Sequence, residues 1–233
     1  EWKFYGLPGK LAKIVHYVSG DLTGPYIEFY PSGDTSIAGE FLNGKNHGEW
    51  TWYDSTGIVR QTGEFVEGKQ YGKWEYFFEN GKTDAVGNFV NDERSGTWKM
   101  YYKGGELFKE GKYKNDLKEG EWTSYWENGE KLTRGNFIQD QEEGFWQAWY
   151  ETGQLKDEGY YENGKMTGHW TGYFSNGEIN YDGDLKNGLR DGEWTFKFST
   201  GKLREKGGYK EGVKHGDWEY YLNTGAIDSK GAY

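Results

Sequence analysis

Gly48-Glu49-Trp50-Thr51-Trp52-Tyr53-Asp54-Ser55-Thr56-Gly57, followed at Gly63-Glu64-Phe65-Val66-Glu67-Gly68 and closed by Gly72, is one period of a pattern that runs the length of the chain. From Gly48, glycines recur every 24 residues without insertion or deletion, from Gly24 to Gly216. Counting from this column zero, a second glycine column stands at plus nine (Gly9 to Gly225) and a third at plus fifteen (Gly39 to Gly231). A fourth, at plus twenty, holds Gly20, Gly44, Gly68, Gly164, Gly188 and Gly212, with Asp92, Asp116 and Asp140 between them. Together these columns take 34 of the 38 glycines, so an internal repeat decides the fold before any local propensity does.

The large rings keep the same ruler. Plus two is tryptophan in Trp2, Trp50, Trp74, Trp98, Trp122, Trp146, Trp170, Trp194 and Trp218, with Tyr26 the exception. Plus five holds Tyr5, Phe29, Tyr53, Phe77, Tyr101, Tyr125, Trp149, Tyr173 and Tyr221, broken by Lys197. Plus seventeen is aromatic from Tyr17 to Tyr233, except at Leu185.

Each period carries two turn signals. One is Asn80-Gly81 or Thr56-Gly57; the other is Asn43-Gly44 or Asn187-Gly188. Asn-Gly favours a type I′ hairpin turn, in which both central residues take positive φ. Runs of six to eight residues without helical periodicity separate the turns, so each unit reads as two antiparallel strands. The expected fold is all-β: tandem 24-residue β-hairpins in an elongated, twisted or curled antiparallel meander, open and solenoid-like, with about twenty short strands. It is one array over 1–233, with ten units beginning near residues 1, 24, 48, 72, 96, 120, 144, 168, 192 and 216.

Reading the first turn as a two-residue loop makes offsets across the hairpin sum to seventeen. Tryptophan at plus two then faces glycine at plus fifteen, and the ring at plus seventeen faces glycine at zero. Large rings over glycines compensate the weakness of glycine in a strand. Trp50, Trp74, Trp98, Trp122, Trp146, Trp170, Trp194 and Trp218 are therefore the expected structural core. By alternation the plus-five rings point to the opposite, polar face. Tyr53, Phe77, Tyr101, Tyr125, Trp149, Tyr173 and Tyr221 are the candidate binding residues, an exposed stripe suited to stacking on sugar rings or anchoring a protein partner. A second layer of structural rings, or a bulge that turns them into the core, is the alternative for this column.

Composition narrows the function. A formal net charge of -10 disfavours nucleic acid and anionic lipid as partners. Zero cysteines exclude disulfides and thiolate metal sites. His16, His47, His169 and His215 have no partner at metal-ligand spacing, and solvated surface histidines account for them. No nucleophile elbow or phosphate loop is present, so no enzyme activity and no cofactor is expected. Asp92, Asp116 and Asp140 suit either an acidic ladder or ordinary Asn-Asp turn chemistry. Absence of cysteine fits exported bacterial proteins as well as cytosolic ones, with the balance toward the cell envelope or secretion. The final unit, ending Gly231-Ala232-Tyr233, has no cap, so more chain or a partner is expected beyond it.

The Gly48-to-Gly72 string resembles the MORN repeat, and more closely its bacterial variant with Gly-x-Trp-x-x-Tyr and a later Asn-Gly-Lys. The resemblance covers the whole chain. It implies an elongated hairpin array used for protein contact, with envelope and antitoxin-like proteins among bacterial relatives. The expected role is a non-catalytic scaffold for protein partners, including itself end to end; the alternative is a glycan-binding module of the cell wall or surface.

Overall fold

The computed structural model describes residues 1–233 and contains 22 β-strands and no helix. Twenty strands pair antiparallel with partners close in sequence, while two form a separate short ribbon. The chain divides into two compact units, Glu1–Leu117 and Lys118–Tyr233.

In the first unit the strands are β1 (Trp2–Tyr5), β2 (Leu11–Val15), β3 (Tyr17–Val18), β4 (Asp21–Leu22), β5 (Gly24–Phe29), β6 (Thr35–Leu42), β7 (Lys45–Tyr53), β8 (Val59–Val66), β9 (Lys69–Phe77), β10 (Thr83–Val90), β11 (Glu93–Tyr101) and β12 (Leu107–Lys114). The ribbon is β3–β4, so the first repeat breaks its long hairpin in two and raises the strand count above the expected twenty. The second unit holds β13 (Leu117–Tyr125) from its second residue on, β14 (Lys131–Ile138), β15 (Gln141–Trp149), β16 (Leu155–Glu162), β17 (Lys165–Tyr173), β18 (Ile179–Lys186), β19 (Leu189–Lys197), β20 (Leu203–Lys210), β21 (Val213–Tyr221) and β22 (Ile227–Ala232).

The second turn of each repeat is the expected two-residue loop. Asn43 and Gly44 take φ of 51° and 77°, and Leu42 pairs with Lys45 across them. Where aspartate replaces this glycine, it serves the turn: the Asp92, Asp116 and Asp140 carboxylates accept the backbone N–H of Gln70, Arg94 and Lys118.

The first turn is different from the sequence reading. Asp54 N–H donates to Ile58 O at 2.8 Å and Gly57 N–H to Asp54 O at 3.0 Å, enclosing three loop residues. Only the glycine has positive φ, 85° at Gly57, which is a type I turn closed by a glycine bulge. Asparagine at this turn works through its side chain instead. Asn80 Oδ1 accepts Lys82 N–H, and its Nδ2 donates to Lys103 O of the next hairpin. The extra loop residue shifts the register by one, and a bulge between Trp52 and Tyr53 in the pairing with β8 shifts it back. Beyond that bulge Trp50 pairs with Gly63 and Gly48 with Phe65, as the seventeen rule requires.

Glycines at column zero have another reason than the one expected. A Cβ at Gly96, Gly120 or Gly144 would meet nothing within 4 Å, so no ring covers them. They sit at φ near 70° in a bulge where β-strand partners skip two residues, as between Gly63↔Trp74 and Glu64↔Tyr71. A two-residue bulge preserves side-chain parity, and a left-handed backbone there selects glycine.

The plus-fifteen glycines are covered, but by a different ring than the hairpin pairing suggests. A Cβ at Gly63 would lie 2.2 Å from the Trp74 indole, the tryptophan of the following repeat, not of its own hairpin. Gly39 meets Trp50, Gly87 meets Trp98, and in the second unit Gly135, Gly159, Gly183 and Gly207 meet Trp146, Trp170, Trp194 and Trp218. The indole lies flat on bare backbone, and its Nε1–H reaches the next carbonyl along: Trp74 to Glu64 O at 3.2 Å, Trp218 to Gly208 O at 3.1 Å. The plus-seventeen ring stands edge-on to it, as Phe65 does to Trp74 at 5.2 Å and 87°. Where plus twenty-two is a cation it closes the layer from above, as Lys214 does with its Nζ 3.7 Å from the Trp218 ring centre and Arg190 over Trp194 at 4.7 Å. Trp74 and Trp218 are thereby 1% and 0% exposed using neighbours from their own sheet.

Candidate functional site

The plus-five column emerges on the polar face, beside plus one, plus three and plus fourteen. It is half-buried rather than exposed: Tyr53, Phe77, Tyr101, Tyr125, Trp149, Tyr173 and Tyr221 all fall in the intermediate range. A bulge between plus four and plus five stands beside the ring in each of these hairpins. The plus-six side chain holds that backbone from the other face. Tyr30 Oη donates to Tyr53 O at 2.6 Å, Tyr150 Oη to Tyr173 O at 2.8 Å, and Trp126 Nε1 to Trp149 O at 3.2 Å.

In the first unit, Tyr53 and Phe77 line a shallow cleft of about 480 Å³ with Ile58 and Val59 on one side and Glu49, Thr51 and Thr62 on the other. Rings, hydroxyls and a carboxylate thus converge without enclosing a deep pocket. Thr51 and Thr62 are themselves hydrogen-bonded at 3.1 Å.

In the second unit the stripe is tied into polar networks. Tyr173 Oη donates to Glu158 Oε1 at 3.0 Å, and Gln147 Nε2 donates to Glu158 Oε2 at 3.0 Å. Partial burial, then this bond to an anion, pushes the Tyr173 phenol up. Lys131 Nζ lies 5.5 Å from the Trp149 ring centre. Tyr221 donates to Glu219, which also meets Lys230 and Lys206; the bonds from Lys230, Tyr221 and Lys206, in that order, hold Glu219 down to about 2. His169, one position before Trp170, bridges Asp184 and Asp182 at 3.0 Å each, and the bond to Asp184 raises its pKa above the ordinary histidine value.

The core tryptophans lie on the other face. Trp50, Trp74, Trp98, Trp122, Trp170, Trp194 and Trp218 are buried, and Trp146 is half-buried with an Nε1 that is buried and without a partner. Two features went unread in the sequence. One is the plus-twenty-two cation set over the core rings. The other is a second aromatic pair on the polar face, Phe145 and Tyr160, which are the only aromatic residues in the plus-one and plus-sixteen columns. That exclusiveness was a usable signal, since column-by-column comparison isolates it.

No group of three or more His, Cys, Asp or Glu residues is placed to hold a metal ion. The sequence pattern of the MORN repeat variant matches residues 46–67, 70–91, 94–115, 118–139, 142–163 and 190–211. These segments keep the 24-residue spacing, and the segment passed over between the last two is the one carrying Leu185 where every other repeat has an aromatic ring. None of the curated proteins matches the chain. Among solved structures, a GtfA/B complex bound to UDP and GlcNAc is similar at 15% identity over 53% of this chain and 22% of that one, with a TM-score of 0.17. The Photorhabdus luminescens Tc holotoxin pore is similar at 11% identity over 100% of this chain and 16% of that one, with a TM-score of 0.22. The chain spans less than a quarter of either, and superpositions at this level carry nothing about its role.

Proposed function

The chain belongs to the MORN repeat variant family, and on that premise we propose that it is a non-catalytic scaffold that binds protein partners through the plus-five aromatic column. The observation that carries this reading is the recurrence of a half-buried ring at plus five in eight of the ten repeats, on a polar face, with the backbone held by a neighbouring repeat at Tyr53, Trp149 and Tyr173. Anchored rings lose little conformational entropy on binding, and aromatic side chains dominate interface energetics. Repeats that contact chiefly their neighbours present such side chains at regular intervals, about 9.6 Å for rings two strands apart.

Binding of surface glycans is the second reading. The Tyr53–Phe77 cleft favours it, because rings beside the Thr51 and Thr62 hydroxyls and the Glu49 carboxylate can stack on and hydrogen-bond a sugar.

Crosslinking and affinity capture with the intact chain, set beside a Trp149→Ser/Tyr173→Ser double variant and a glycan array, tests both. Captured proteins that disappear with the double variant support the scaffold. Unchanged capture by the double variant sinks the stripe as the interface, and saturable glycan binding that Tyr53→Ala abolishes transfers the role to sugars.

A further inference from the structure

Phe145 and Tyr160 break the repeat pattern together. The corresponding pairs in other repeats are Glu49 with Glu64, Lys73 with Asn88, Glu121 with Asn136, and His169 with Asp184. Phe145 and Tyr160 are direct Cα partners on β15 and β16, their ring centres 5.2 Å apart at 55°. They remain 42% and 49% exposed on the face that is polar elsewhere. Two rings gathered at one rung of a solvated face form an apolar platform that folding does not require.

Its surroundings hold fixed carboxylates, while the nearby guanidinium of Arg134 is already paired with Glu121. Glu158 is two residues before Tyr160, on the same face, with both carboxylate oxygens positioned by Tyr173 and Gln147. The next hairpin contributes Asp182 and Asp184, bridged by His169. A platform of ring faces bordered by fixed carboxylates, on a chain of net charge -10, complements a cation with a planar or apolar body. Guanidinium meets both needs, stacking on a ring while its N–H fork reaches a carboxylate.

We propose that the Phe145–Tyr160 rung seats an arginine side chain of a protein partner. This rests on the protein-scaffold reading and adds the partner's chemistry to it.

The test is an NMR titration of the isotope-labelled chain with an acetylated Arg-Ser-Arg peptide amide, repeated with citrulline in place of arginine and with chitotriose. The expected result is saturable shifts at Phe145, Tyr160 and Glu158 with the arginine peptide, at least ten-fold weaker with citrulline and in Phe145→Ser/Tyr160→Ser. Both positions are solvent-facing, and a single Tyr160→Ser variant provides the same readout if the double variant unfolds. Equal response to citrulline, shifts spread over the whole acidic surface, or saturation by chitotriose alone would overturn the proposal. Partner capture that survives Phe145→Ser/Tyr160→Ser but not Trp149→Ser/Tyr173→Ser rejects this seat while leaving the scaffold standing.

Discussion

Residues 50–98 of the first unit and 122–172 of the second follow the same columns, yet their interiors are filled differently. In the first, the plus-four side chains extend a ring stack: Trp50, Trp52, Trp74, Tyr76 and Trp98 follow one another at 5.8–6.3 Å. In the second, the same column holds Ser124, Ala148 and Gly172. Ser124 bonds Thr133 at 2.5 Å, Ala148 faces Asp157, and Gly172 lies under the Tyr181 ring, a ring supplied from the opposite strand. The indole-on-glycine contact is the same in both, 2.2 Å from a Cβ at Gly63 and 2.2 Å from one at Gly159. That contact defines the repeat, and the plus-four slot tolerates a ring from either strand or a small polar pair.

If so, Trp74→Ala and Trp170→Ala should be equally damaging despite their different surroundings, each costing about 3–5 kcal/mol as for a large buried aromatic. Native-state hydrogen exchange at the flanking strands is the suitable measure, because repeat arrays need not unfold as one unit. A Trp170→Ala cost under about 1 kcal/mol would show that the ring stack, not the glycine contact, holds the fold.

Next in size is Gly172→Ala. Its Cβ would fall 2.2 Å from the Tyr181 ring, so overpacking should cost about 1–3 kcal/mol. The same change in a Tyr181→Ala background should cost far less, and a double-mutant cycle reads the coupling. Additive costs would refute the ring exchange between strands.

Asp157 sharpens the contrast further. Burial raises its carboxyl above the ordinary aspartate value in the folded chain, so the folded state binds its proton more tightly than the unfolded one. Stability should therefore fall as pH rises from the unfolded value through the folded one. Asp157→Asn should stabilise the chain at neutral pH, on the order of 1 kcal/mol, and remove that slope from denaturant midpoints measured between pH 3 and 7.

The smallest effect belongs to the polar face. His169 has a raised pKa through its bonds to Asp184 and Asp182, so its contribution is complete below the unfolded value and is lost as pH rises through the folded one. His169→Gln should lower stability by a few tenths of a kcal/mol at pH 5.5 and leave it unchanged at pH 9, as befits a solvent-screened pair. An equal loss at both pH values would assign the residue a packing role.

The sequence alone determined the repeat length, the hairpin unit, the second-turn type and the identity of the paired columns. Covalent periodicity and turn chemistry are local, and the backbone pairing of Trp50 with Gly63 follows from counting. Only the tertiary structure decided which indole covers which glycine, because that depends on side-chain direction toward a neighbouring strand, which register does not encode. It also revealed the compensated irregularities around Tyr53, where an added loop residue and a bulge cancel and so leave no trace in the period. The half-burial of the plus-five rings likewise became visible only in the folded chain. Phe145 and Tyr160 were legible as exceptions in their columns, and since their offsets sum to seventeen their pairing follows from counting too; only the structure decided that the two rings meet at 5.2 Å and stay exposed.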